Sequence, residues 1–194
     1  VATATNVVVG AATVFIAPAG TSAPTLPTAH GASTFATPTT PWVQVGFTTD
    51  GATLNVDRKT NEIRVEEQST PVLVTTESLD VTLDLTFSED VLANAQYAYG
   101  GGTLTTVAAA SGVPGSTTLA LSETLTQLAV VLLGGNAAFP NANSRMVYIP
   151  TLISAGKVKT SYKRAKEARL YPATFTAVCA PSTISIVDVT AAAV

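Results

Sequence analysis

The chain has 194 residues, 46% hydrophobic and only 12% charged, with a formal net charge of −3. That length allows one domain with a real core; the acidic balance excludes a general nucleic-acid binder, whose domains are typically basic, and a lone cysteine excludes an intramolecular disulfide framework or a thiolate zinc cluster. So little charge is unusual for a surface kept soluble in isolation, and with Thr, Ser and Ala filling the polar and small positions it points to β structure packed against neighbouring subunits, although a Thr-rich secreted sandwich has the same composition.

The opening VATATN lacks the basic start and long apolar run of a secretory signal. Residues 6–10 and 12–17 read as two short β segments. The first is apolar and uncharged, open to solvent unless something covers it, and on its own reads as a plain edge strand. Residues 18–41 carry Pro18, Pro24, Pro27, Pro38 and Pro41, which remove backbone donors and favour extended chain. A structureless stretch of this length is functional or disordered, and a long surface arm is expected. His30 lies in it with no Asp, Glu or Cys nearby, so it reads as a solvated loop residue rather than a ligand.

Residues 42–48 and 52–56 are predicted strands about a tight Asp50-Gly51 turn, with Trp42 sealing the edge of the core. The next turn is placed at 58–61, followed by a strand over 62–68 with Ile63 and Val65 on one face. Residues 69–71 break it, and 71–76 form a further extended piece. Then Leu79, Val81, Leu83, Leu85 and Phe87 alternate with Asp80, Thr82, Asp84, Thr86 and Ser88. Period-2 alternation of that length predicts a long strand with one buried and one wet face. Ser88 is expected to cap a short helix with Glu89 and Asp90 in its first turn. Val91, Leu92, Ala95 and Tyr99 give that helix its apolar spacing, and Gly100, Gly101 and Gly102 end it. These glycines are not a phosphate loop, because no Lys-Ser or Lys-Thr follows them.

Residues 103–109 and 116–121 read as two strands, and 122–127 as a loop or one weak helical turn. The apolar run 127–133 suits a strand buried on both faces or a buried helix fragment; it is far too short to span a bilayer. Residues 134–143 are loop, 145–153 a strong strand, 157–162 its continuation, 170–180 another strand and 184–189 a last short one. Cys179 is read as a buried small hydrophobe. Many short strands with one helix predict a mainly β fold, a β-sandwich or small barrel. One domain is expected: an N-terminal arm or strands (1–17), a Pro-rich loop (18–41), a β core (42–189) with its helix near 89–99, and an Ala-rich tail (190–194).

Catalysis finds no purchase. There is no second His and no nucleophile–base pair; Asp80 and Asp84 share a strand face, which is common on wet faces, whereas acid–base chemistry needs groups converging from different elements. No catalytic, metal-ligating or cofactor-binding residue is assigned, and no cofactor is expected. Acidic residues gather between 57 and 90, while Lys157, Lys159, Lys163, Arg164, Lys166 and Arg169 crowd one later segment. The two patches either pair internally, remain solvated, or meet across a subunit interface and fix its register.

Several motifs follow one another in a characteristic order: Trp42 with Gly46, the Asp50-Gly51 turn, Glu62-Ile63, the run from Gln68 to Val72, Glu77, and Phe87-Ser88-Glu89 at the helix start. In that order they resemble the major tail tube proteins of long-tailed (siphovirus-type) bacteriophages. Residues 6–10 and 17–24 resemble the opening of such proteins from phages of actinobacteria, and 145–150 and 171–175 resemble the family's last strands.

The resemblance implies a structural virion protein, assembled in the host cytoplasm into stacked, hexameric rings that form a hollow tail tube for viral DNA. It implies N- and C-terminal arms that reach onto adjacent subunits. Implied partners are further copies of the chain, the tape measure protein, tube-end and terminator proteins, and passing DNA held without sequence specificity; no membrane is involved. The long strand is then expected to line the lumen through Asp80, Thr82, Asp84 and Thr86, with Glu62, Arg64 and Glu66 contributing from a partner strand. The basic residues from Lys157 to Arg169 are expected between subunits. The ordinary solvent face of a sandwich is the competing reading of the same acidic and hydroxyl residues. A virion decoration or adhesin-like sandwich, or a secreted ligand-binding one displaying Phe35, Trp42 and Phe139, are the other classes considered.

Overall fold

A computed structural model describes residues 12–25, 37–134, 144–160 and 170–189. In chain order these form β1 (Thr13–Pro18), β2 (Val43–Gln44), β3 (Thr48–Ile63), β4 (Leu73–Phe87), α1 (Leu92–Ala98), β5 (Thr103–Val107), β6 (Ser116–Ala120), β7 (Leu128–Gly134), β8 (Ser144–Ser154), β9 (Tyr171–Ala177) and β10 (Ser185–Val189). The fold is mainly β with one short α-helix, as expected. A curled, antiparallel half-barrel runs in the order β2-β1-β7-β8-β9-β4-β3, and β5 and β6 make a small second sheet. β9 and β10 share one edge of β8: β10 covers Ser144 to Tyr148 and β9 covers Leu152 to Ser154. Pro150, with no N–H to contribute, sits where one partner hands over to the other.

The curl wraps the core. Val14 and Ile16 of β1, Leu83 and Phe87 of β4, Val130 of β7, Ile149 and Leu152 of β8 and Phe175 of β9 are all buried in one cluster. Phe87 and Phe175 meet edge to face with centroids 6.5 Å apart, a favoured aromatic geometry. The alternate residues of β1, β7 and β8 face the other way and are buried too: Phe15, Ala17, Ala129, Val131 and Met146 pack with Trp42. The continuous apolar run at 128–133 is therefore a strand covered on both faces. Trp42 seals this second layer, edge to face against Tyr148 at 6.3 Å, and the Tyr148 hydroxyl donates to the Thr21 carbonyl at 2.7 Å.

Three turn and cap expectations are corrected. Residues 48–51 and 58–61 are not turns but lie within β3, which pairs continuously with β4 apart from irregularities at Thr49/Ala52 and Lys59/Thr60. Gly51, at φ +74°, absorbs the first. Long-range pairing has overridden local turn chemistry. The true reversal falls after Ile63, where the Val72 N–H donates to the Ile63 carbonyl at 2.9 Å; the strand expected over 62–68 stops there, and 71–76 joins the long strand as part of β4. Ser88 does not cap α1, whose N-cap is Val91 without a side-chain bond. The Ser88 hydroxyl is taken by Thr49, the Glu89 carboxylate by the Phe47 N–H and the Asp90 carboxylate by the Tyr171 hydroxyl.

The glycines do end the helix: Gly101 N–H reaches the Gln96 carbonyl at 2.9 Å, with Gly100 at φ +84°. Residues 42–48 yield only the two-residue β2, and 157–160 are not strand. Cys179 is partly buried against the main core. The expected strand at 6–10, His30, the 135–143 loop, the basic residues from Lys163 to Arg169 and the tail at 190–194 lie outside the described residues.

Phe87→Ala is expected to cost about 3–5 kcal/mol in urea unfolding, against roughly 0.5 kcal/mol or less for exposed Leu73→Ala. A second outcome concerns pH. Arg145 grips Asp188 through two hydrogen bonds of 2.6 and 2.8 Å, and that bonding holds the Asp188 carboxyl below its ordinary value of 3.8. A lowered carboxyl adds stability above its ordinary pKa and loses it as pH falls through the lowered one. Amide protection of β10 should therefore weaken only as pH drops below 3.8, and Asp188→Asn should remove that dependence.

Candidate assembly surface

Because β3, β4 and β9 are paired in register, their outward residues fall into rows. Thr53, Asp84 and Thr174 are abreast, as are Asn55, Thr82 and Thr176, while Asp57 faces Asp80 and Thr49 faces Thr86. Of the sequence-predicted set, Asp80, Thr82, Asp84 and Thr86 thus share one face, opposite the buried Val81, Leu83, Leu85 and Phe87. Asp84 is the centre of this wall: it accepts Asn55 Nδ2 at 2.7 Å and Thr174 Oγ1 at 2.6 Å. Lys59 reaches Asp80 at 3.3 Å, in solvent. The wall is therefore rich in hydroxyls and mildly acidic, with Asp57, Asp80 and Asp84 against Lys59.

Glu62, Arg64 and Glu66 stand apart from it. Glu62 pairs with Val74, one residue out of phase with Asp57 and Lys59 on β3, so it occupies the opposite face. Arg64 lies beyond the strand end and binds Glu62 at 2.7 Å, and Glu66 sits in the turn. The residues that sequence reasoning missed are Thr53, Asn55, Asp57, Thr174 and Thr176. The signal for the last two was present, since Thr174 and Thr176 alternate with Ala173 and Phe175.

The β3–β4 ribbon outruns the body. Among the described residues neither β9 nor any core residue flanks it beyond Val81, and the distal strands pair with each other. The row that faces the core continues outward through Val56 and Val74, which are 58% and 56% exposed. Over residues 57–80 the ribbon carries six acids and three bases, a net −3. Lys157 and Lys159 are exposed on the chain after β8, and Lys157 borders the wall beside Thr53 and Asp84. Among the described residues no group of three or more His, Cys, Asp or Glu side chains is placed to hold a metal.

Removing the Asp84 carboxylate by Asp84→Ala leaves Asn55 and Thr174 without their acceptor. About 0.5–1.5 kcal/mol of stability should be lost in urea titration. Asp80→Ala, which breaks a solvated ion pair with Lys59 and a long, exposed Ser78 hydrogen bond, should cost at most about 1 kcal/mol and usually less.

A protein-family model described as phage tail tube protein matches residues 2–144. No curated protein matches the chain.

Proposed function

Because the chain belongs to the phage tail tube protein family, and is thus a non-enzymatic structural subunit of the tube in the virion tail, we propose that its copies close into hexameric rings. The rings stack into a hollow conduit with the outer face of β3, β4 and β9 towards the lumen. The observation that carries the stacking is the ribbon beyond Val81. An isolated two-stranded ribbon is marginal in water, and one that leaves Val56, Leu73 and Val74 about half exposed is built to be covered. A copy in the next ring supplies the cover. Its acidic flank meets the basic stretch that runs from Lys157 through Lys163, Arg164, Lys166 and Arg169 in the sequence, which sets register between subunits.

The lumen assignment rests on the chemistry of the wall around Asp84. Basic surfaces bind phosphate and release counterions, so a positive channel would hold a passing duplex. Threonine hydroxyls with carboxylates outnumbering lysines hold phosphate only weakly, and no sequence-specific contact is called for. Asp80, Thr82, Asp84 and Thr86 line this channel, and Glu62, Arg64 and Glu66 mark the tip that reaches beyond it. Residues past 144 belong to the same tail-tube unit, since β8, β9 and β10 complete the sheet that β1 and β7 begin. Likeness to the actinophage type suggests a flexible siphovirus-type tail without a contractile sheath. Its partners are a tape measure within the tube and tube-end and terminator proteins at its ends.

Purified protein viewed by negative-stain electron microscopy over rising concentration should form hollow tubes with a regular axial repeat. In a Cys179→Ala background, Thr82→Cys should react with a small maleimide in free subunit and tube alike. A polymer-bound maleimide should be slowed at least about tenfold by assembly, because a narrow lumen excludes it. Equal labelling in both states would place Thr82 outside the channel.

A further inference from the structure

Phe47 is 79% exposed, yet its backbone is held from both sides. Its N–H donates to Glu89 Oε1 at 3.1 Å, and its carbonyl accepts the Ser88 N–H at 3.0 Å. The preceding Gly46 has φ +78°, and a Cβ there would collide with the Glu89 carboxylate. Asn94 of α1 ties the loop down, donating to the carbonyls of Val45 and Glu89 at 3.2 Å each. An aromatic ring displayed on a fixed backbone gives up little entropy on docking, and such rings dominate binding energy at interfaces.

A groove of about 550 Å³ lies on another flank of the same helix, between α1 and β6. Leu92, Tyr99, Leu119, Leu121 and Tyr171 make its apolar walls, and Tyr99 meets Tyr171 edge to face at 6.1 Å. At roughly 100° per residue, Asn94, which faces the Phe47 loop, points away from Leu92 and Tyr99, which face the groove. A projecting ring and an aromatic-lined groove on different flanks of one helix form the two halves of a head-to-tail contact. A closed ring of identical subunits can use such a contact at every interface, unlike a two-fold dimer.

The charges agree with this pairing. Glu89 lies beside Phe47, while exposed Lys159 immediately precedes Thr160, which bonds the hydroxyl of the groove residue Tyr99 at 2.9 Å. Asp90 also lines the groove; its carboxylate accepts the Tyr171 hydroxyl at 2.6 Å, and the electropositive edge of a phenyl ring suits a carboxylate neighbour.

We propose that Phe47 of one copy inserts into the α1–β6 groove of the adjacent copy and anchors the lateral contact of the ring, with Glu89 against Lys159 at its edge. This rests on the ring assembly proposed above. The test has two arms. Phe47→Ala, which removes an exposed ring, should leave the thermal midpoint of the free subunit unchanged and raise the concentration needed for tube assembly at least tenfold. A photo-crosslinking phenylalanine analogue at position 47, which keeps the ring, should link irradiated tubes through a neighbour's residues 92–99 or 117–121, identified by mass spectrometry. Intact tubes that crosslink elsewhere or not at all, or Phe47→Ala tubes forming at the wild-type concentration, overturn the anchor and leave the tube reading standing. A wild-type chain that builds no ring or tube at any concentration overturns both.

Discussion

Between Thr48 and Phe87 two strands of sixteen and fifteen residues zip together, a pairing longer than the core of one subunit can cover. At the near end β9 flanks β4, and Leu83, Leu85 and Phe87 are buried. At the far end the same apolar row runs on through Val56 and Val74 into solvent. Burial of one end anchors the ribbon, and the ladder of backbone hydrogen bonds carries that order outward. The element that organises the core is therefore also the one that leaves the molecule unfinished on its own.

The reverse face of the sheet is divided in the same economical way. Across β1, β7 and β8 it is sealed by Phe15, Val131, Met146 and Trp42, under chain from the Pro-rich segment. Across β9, β4 and β3 it is left to threonines, asparagine and aspartates tied together through Asp84. The first half cannot be a wet wall and the second can. This asymmetry, together with family membership, is the basis for proposing that the β3–β4–β9 face borders the channel. The Phe47 loop and the α1–β6 groove lie on different flanks of α1 and carry the lateral contact proposed for the ring.

Much of this was legible in the sequence where one periodicity ruled. The alternation from Leu79 to Ser88 marked both the buried row and the wet row, and the apolar run of β7 marked an element buried all round, a doubly covered strand or a helix fragment, between which the structure decides for the strand. Turn signals misled wherever backbone pairing outweighed them. Asp50-Gly51 looks like a hairpin turn but is an irregularity in β3, because β4 is long enough to pair on both sides of it. Ser88-Glu89-Asp90 looks like a helix cap, but each side chain finds a more distant partner in Thr49, Phe47 or Tyr171. Glu62 falls on the opposite face from Asp80 because it lies an odd number of residues along β3 from Asp57, the partner of Asp80, and that pairing is visible only once the register of the two strands is known. Phe47 was hidden because residues 42–48 read as one strand, whereas pairing there is confined to Val43–Gln44 and leaves Phe47 on an exposed loop.

The lumen assignment is tested most directly by a helical cryo-EM reconstruction of assembled tubes. It predicts that Thr82, Asp84 and Thr174 border the channel, with the ribbon tip around Glu62 and Arg64 lying against a subunit of the next ring. A reconstruction that places those three residues on the outer surface of the tube, with another face of the sheet inside, would contradict it.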